Sequence, residues 1–200
     1  MAFEQRGRSG GSRKRSSGFS PSRNNDSDET SDKPAREKKS PTPERLEQRA
    51  RNVLLHQLAR SAKSTQQLRK ILENREIPSE IAERVLERFT EVGLIDDQAY
   101  AETIVNSRRN FKGLSKSAIK RELNEKGVPA QYIETAIESI TAEDDFEAAK
   151  DLAARRIRQM SSLTREVRER RLAGYLGRKG YPSSVVFAAI RFAESQIESA

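Results

Sequence analysis

The sequence predicts an all-α protein, built as three tandem three-helix repeats in an elongated array able to curve, preceded by a disordered basic N-terminal arm. Three observations carry this. Apolar residues recur at three- and four-residue spacing in successive short segments, glycine and proline punctuate those segments, and one pattern occurs three times. Aligned on Pro78, Pro129 and Pro182, the copies read Leu68, Leu72, Ile77; Ile119, Leu123, Val128; and Leu172, Leu176, Tyr181. After each proline the apolar positions recur as Ile81, Val85, Leu86; Tyr132, Ala136, Ile137; and Val185, Ala189, Ile190. Units matched in this way each bury a small core and touch only their neighbours.

Composition sets the limits. Hydrophobic residues are 34% of the 200 and charged residues also 34%, lean for one round core and suited to small cores in series. There is no cysteine and a single histidine, His56, which excludes disulfide frameworks, zinc ribbons and cysteine nucleophiles and leaves no basis for a metal or other cofactor. The longest apolar run, near Val185 to Ile190, is far short of the roughly 20 residues a membrane span needs. A soluble, cytoplasmic chain is expected, with no membrane partner.

Residues 1–43 contain almost no aliphatic side chains and are read as the disordered arm, since so little apolar surface cannot offset backbone entropy. They carry ten basic and six acidic side chains, half of the chain's net charge of +8. The first repeat is assigned to 44–95. Thr42-Pro43-Glu44 opens a helix with a hydroxyl, a first-turn proline and an acid, and Leu46, Ala50, Val53, Leu54 and Leu58 form its stripe to near Ser61. Ser64 and Gln67 have capping-box spacing ahead of the second helix. Pro78 restarts the chain as a third helix ending at Gly93.

The second repeat is assigned to 96–142. Asp96 and Asp97 invite a metal or acid–base reading, but carboxylates at a helix start are explained by capping and by the helix dipole. Tyr100, Ile104 and Val105 follow, then a basic turn, the helix of Ile119 and Leu123, and Gly127 at a left-handed C-terminal position. The third repeat, 143–200, opens at Glu143-Asp144-Asp145, continues from Thr164 to Gly180, and ends with the helix of Val185 to Ile197.

Several stretches together make the region from Glu44 to Ile197 resemble the RecX family, bacterial modulators of the recombinase RecA. They are Leu58-Ala59-Arg60-Ser61 before Gln67-Leu68-Arg69-Lys70-Ile71-Leu72; Val92-Gly93-Leu94-Ile95-Asp96-Asp97 before Tyr100-Ala101; Lys120-Arg121-Glu122-Leu123 with Lys126-Gly127-Val128; and Tyr175-Leu176 with Arg178-Lys179-Gly180-Tyr181. The resemblance implies the same three-repeat fold and a non-enzymatic role: binding RecA filaments on single-stranded DNA, meeting the strand through the filament, and restraining strand exchange and ATP hydrolysis. One position departs from the repeat. Glu76 stands where Gly127 and Gly180 stand in the other copies, which leaves Pro78, rather than a left-handed cap, to end that helix.

The contact surface is expected where basic charge concentrates. Arg108, Arg109, Lys112, Lys116, Lys120 and Arg121 fall within fourteen residues, and Arg155, Arg156, Arg168, Arg171, Arg178 and Lys179 belong to a second concentration. Helical spacing allows Arg168, Arg171 and Arg178 one exposed face. Such stripes suit phosphates or an acidic protein groove. Rival readings are a helix-turn-helix regulator that binds duplex DNA directly, against which the cations are spread over several helices, and a helical scaffold without nucleic acid. Ser117-Ala118-Ile119-Lys120 fits S-x-x-K, but its companion motifs are absent. A monomer is expected.

Overall fold

The structure, a computed structural model, describes residues 42–198, so the predicted arm lies outside the described residues up to position 41. The described chain is all-α. The first unit comprises α1 (Pro43–Leu58), α2 (Thr65–Glu73) and α3 (Ser79–Glu91). The second comprises α4 (Asp97–Ser107), a π-helical turn (Arg108–Lys112), α5 (Lys116–Glu125) and α6 (Ala130–Ile137). The third comprises α7 (Ala142–Ile157), a 3-10 turn (Arg158–Met160), α8 (Arg165–Arg178) and α9 (Ser183–Glu198).

Each unit closes on its own apolar cluster, drawn from the positions that define the sequence repeat. Leu68 and Leu72 of α2 meet Leu54 of α1 and Val85, Leu86 and Phe89 of α3. Ile119 and Leu123 of α5 meet Tyr100, Ala101, Ile133 and Ile137. Leu172 and Leu176 of α8 meet Ala149, Ala153, Ala189 and Ile190. The two leucine or isoleucine positions of the middle helix are fully buried in all three copies, each contributing about 1.5–3 kcal/mol. Val92, at the C-cap of α3, lies outside this core and is 52% exposed.

Helix ends follow the predicted chemistry apart from the Thr42 hydroxyl, which makes no capping bond at α1, and two further differences. Ser64 and Gln67 form the capping box at α2, and Asp96 accepts from the Ala99 amide at α4. The basic turn is not a simple turn: it continues α4 as a π-helical segment and stops at Gly113, whose φ of 58° is left-handed. The second difference is Glu76. Its φ is 59°, so a left-handed residue closes α2 after all. The same bond pair recurs in each copy. Ile77, Val128 and Tyr181 donate to the carbonyls of Leu72, Leu123 and Leu176, while Glu76, Gly127 and Gly180 donate to Glu73, Asn124 and Gly177.

Contacts between successive units explain why glycine is needed at two of these positions only. A Cβ at Gly127 would lie 2.6 Å from Cβ and Cγ of Gln66, in the preceding unit. Glu76 has no described unit ahead of it and is exposed, so its position bears only the backbone strain. Both joints place a serine against the last carbonyl of the following unit's middle helix and an aspartate against a helix-start amide. The Ser64 hydroxyl donates to the Lys126 carbonyl at 2.5 Å, and the Ser115 amide donates to the Lys179 carbonyl at 3.0 Å. Asp97 accepts from the Thr65 amide at 2.8 Å, and Asp145 accepts from the Lys116 amide. Tyr100 donates to Gln67 across the first joint and Tyr181 to the Gly113 carbonyl across the second. Burial raises the phenol of Tyr100 and pushes that of Tyr181 up to about 12, so both stay protonated donors.

Candidate functional site

Twelve cations make up the contact surface expected from the sequence, and the structure sorts them by what they already touch. Arg108, at the start of the π turn, reaches Glu122 of α5 with Nε at 2.7 Å and Nη2 at 2.6 Å. Arg109 spans the second joint to Asp145, and it also donates to the Leu114 carbonyl at 3.3 Å. Arg168 grips Glu194 of α9 at 3.0 and 2.5 Å and donates to the Leu163 carbonyl, with Glu194 only 1% exposed. These three guanidiniums tie elements together. Arg168 therefore does not share an exposed face with Arg171 and Arg178: its helical spacing is right, but Glu194 draws it inward.

Lys116 is intermediate, its ammonium donating to the Ile140 carbonyl at 2.7 Å. Lys112, Lys120 and Arg121 are exposed, and Lys120 pairs at 2.6 Å with an equally exposed Glu134. A pair so open to water adds little stability and leaves Lys120 accessible. Arg155 is exposed and its carboxylate neighbour Asp151 is 3.8 Å away.

The remaining cations converge, joined by Arg170, which is not one of the twelve. Arg156, Arg170, Arg171 and Arg178 line a concave pocket of about 370 Å³ with Gln159, Met160, Gly174 and Tyr175, and no acid lines it. Arg156 donates to Gln159 at 2.6 Å and lies over the Tyr175 ring at 5.7 Å, where the ammonium of Lys179 also lies, at 5.2 Å. That ammonium in turn donates to the Lys112 carbonyl on the π turn of the second unit. The two basic concentrations of the sequence thus meet at Lys112 and Lys179.

Beside that meeting point stands a residue that a count of charges passes over. Phe111 is 88% exposed, the most exposed of the large apolar side chains among the described residues. Its sequence position, seven residues after Ile104, would place it on the apolar face of a continuous α-helix, but it stands on the π-helical turn, where that register is broken. Among the described residues no cluster of metal-ligating side chains occurs, and no helix is long and apolar enough to cross a membrane.

Comparison with known proteins agrees with the repeat. Residues 50–89, 96–137 and 143–190 match the first, second and third three-helix domains of RecX. The chain is 44% identical to the regulatory protein RecX of Streptomyces coelicolor over 155 residues, covering 78% of this chain and 82% of that protein. It is 38% identical to the protein of the same name from Thermobifida fusca, with 76% and 82% covered. Its fold is similar to a crystal structure of regulatory protein RecX, with a TM-score of 0.61 at 28% identity over 72% of this chain and 70% of that one. The RecX crystal structure from Lactobacillus salivarius gives 0.64 at 19% identity, over 74% and 97%.

Proposed function

The chain belongs to the RecX family of regulatory proteins, and from that premise we propose that it binds RecA on single-stranded DNA and restrains the recombinase and its ATP hydrolysis without catalysing a reaction itself. The observation that carries this is the match of all three helical units to successive RecX domains. The surface that meets the filament comprises the cations not committed inside the fold: Lys112, Lys120 and Arg121 on the second unit, and Arg155, Arg156, Arg171, Arg178 and Lys179 on the third. Arg108, Arg109 and Arg168 act by holding that surface in shape. Lys116 does both, anchored at its tip yet lying between the exposed cations.

Charge on this face serves recognition and encounter rate more than raw affinity, because exposed cations stay solvated until a polyanionic or acidic surface arrives. The test is RecA-catalysed ATP hydrolysis on single-stranded DNA, with the purified chain substoichiometric to RecA. Slowing is expected, and Lys120→Glu with Arg121→Glu should weaken it while leaving the helical circular dichroism unchanged. A chain that leaves RecA untouched and shifts one specific duplex would overturn this reading in favour of a transcription factor.

A further inference from the structure

We propose that the junction of the second and third units is itself a binding track for single-stranded nucleic acid, with Phe111 as the stacking platform and the arginine pocket of α7 and α8 as the phosphate seat. The track needs no RecA, and so goes beyond the regulatory reading.

The pocket is the first observation. Four guanidiniums face one hollow with no carboxylate among its lining residues, and Arg170, Arg171 and Arg178 have no acidic partner among the described residues. Like charges held together without counter-charge call for an anion from outside, and planar guanidiniums suit phosphate oxygens.

The helix under those arginines is the second. Gly174 and Gly177 lie inside α8, where a glycine costs about 1 kcal/mol relative to alanine. Neither has a positive φ. A Cβ at Gly177 would meet nothing within 4 Å, and one at Gly174 would meet only Nη1 of Arg178, at 3.3 Å. No internal packing demands glycine there. Its effect is to bare the helix backbone beside the pocket, so that a sugar–phosphate chain can approach closely and Arg178 can lie flat.

The aromatic is the third. Phe111 sits on a π-helical turn, a geometry often found at functional sites. Its turn is joined to the pocket wall through Lys112, Lys179 and Tyr175. Its chain neighbours Asn110 and Lys112 are polar and exposed, so the ring stands beside a cation rather than in an apolar stretch. An open aromatic face leading by way of cations to an arginine-lined hollow is the arrangement used for unpaired strands, whose bases are free to stack. A duplex keeps its bases stacked on one another and gains nothing from Phe111.

The test uses the full chain without RecA and a fluorescein-labelled oligothymidylate, followed by anisotropy at two salt concentrations, with a duplex of equal length and polyglutamate as competitors. The wild-type chain should bind the strand in preference to both. Phe111→Ala should weaken binding roughly 5- to 150-fold, the equivalent of one stacked base, with the salt dependence unchanged. Phe111→Trp should retain it. Arg171→Ala with Arg178→Ala should weaken binding and flatten the salt slope by about 0.7 for each phosphate no longer neutralised. All these positions are exposed, so melting temperatures should match the wild type. The proposal is overturned if the strand does not bind, if polyglutamate displaces it as readily as unlabelled strand does, or if the duplex binds better and Phe111→Ala is silent. RecA's ATP hydrolysis, measured in parallel, separates the two proposals. Strand binding without an effect on RecA defeats only the regulatory reading, and an effect on RecA without strand binding defeats only this one.

Discussion

Gly180 rests against Ala118: a Cβ built on the glycine would stand 2.5 Å from the Ala118 Cβ and 2.8 Å from the Ser115 hydroxyl. The last turn of one unit's middle helix is thereby pressed onto the first turn of its predecessor's. Gly180→Ala should cost the left-handed strain of about 1–2 kcal/mol and a further penalty of about 1–3 kcal/mol for forcing the joint open. Gly93→Ala, with a φ of 72° but nothing within 4 Å of its Cβ, should cost the strain alone. Urea denaturation of the two variants measures the difference, and equal losses would mean that the joint yields freely.

The serines at these joints do double duty. Ser64 accepts from the Gln67 amide and donates to the Lys126 carbonyl, while Ser115 accepts from the Ala118 amide and meets the Ser117 hydroxyl at 3.0 Å; both are fully buried. Thr164 holds the matching place in the third unit, is exposed, and makes no capping bond. Alanine at Ser64 or Ser115 should cost about 1–2 kcal/mol, and at Thr164 only a few tenths. Thermal melts of the three single variants rank them.

Acid should loosen the first two units through a shared device. The hydrogen bonds from Arg69 to Glu83 and from Arg108 to Glu122 hold both carboxyls below their ordinary 4.5. Near that value the unfolded chain binds more protons than the folded one, so stability rises with pH. The contribution is complete above 4.5 and is lost as pH falls through the lowered folded values. Melting temperature should therefore drop on going from about pH 7 to about pH 3. Glu122→Gln should melt lower at neutral pH and decline less steeply in acid.

In the third unit the ion pair is deeper. Glu194 is buried at the α8–α9 contact with Arg168 as its partner. Glu194→Ala strands a guanidinium, so it should lower the melting temperature more than Arg168→Met combined with Glu194→Leu, which removes both charges and keeps the volume. A double variant less stable than the single would show that the charges themselves hold the two helices together.

Local features were legible in the sequence because their causes are local. Leu68 and Leu72, or Ser64 and Gln67, are one helical turn apart, and spacing alone places them together. The left-handed Glu76 was not legible, since what permits a side chain there is the lack of a neighbouring unit in the described fold rather than anything in its own segment. Nor were the roles of Arg108, Arg109 and Arg168. Their carboxylate partners lie 14, 36 and 26 residues away, so a count of nearby charge treats a strut as free surface. Asp97 shows the same limit: at the head of α4 it reads as a capping acid, yet it accepts from the Thr65 amide of the unit before. Phe111 carries no charge, and its place seven residues after Ile104 marks it as an inward residue, so neither signal shows that the π-helical turn leaves it exposed.

Glu76 also gives the array a direction. A unit added after the third would find at α8 a helix start with its side-chain cap unused, of the kind that α2 and α5 present to their successors. A unit added before the first would have to seat Glu76 where only a hydrogen fits at 127 and 180. Lengthened copies of this protein should therefore tolerate a duplicated unit at the C-terminal end of the series and reject one at the N-terminal end, unless Glu76→Gly is made first.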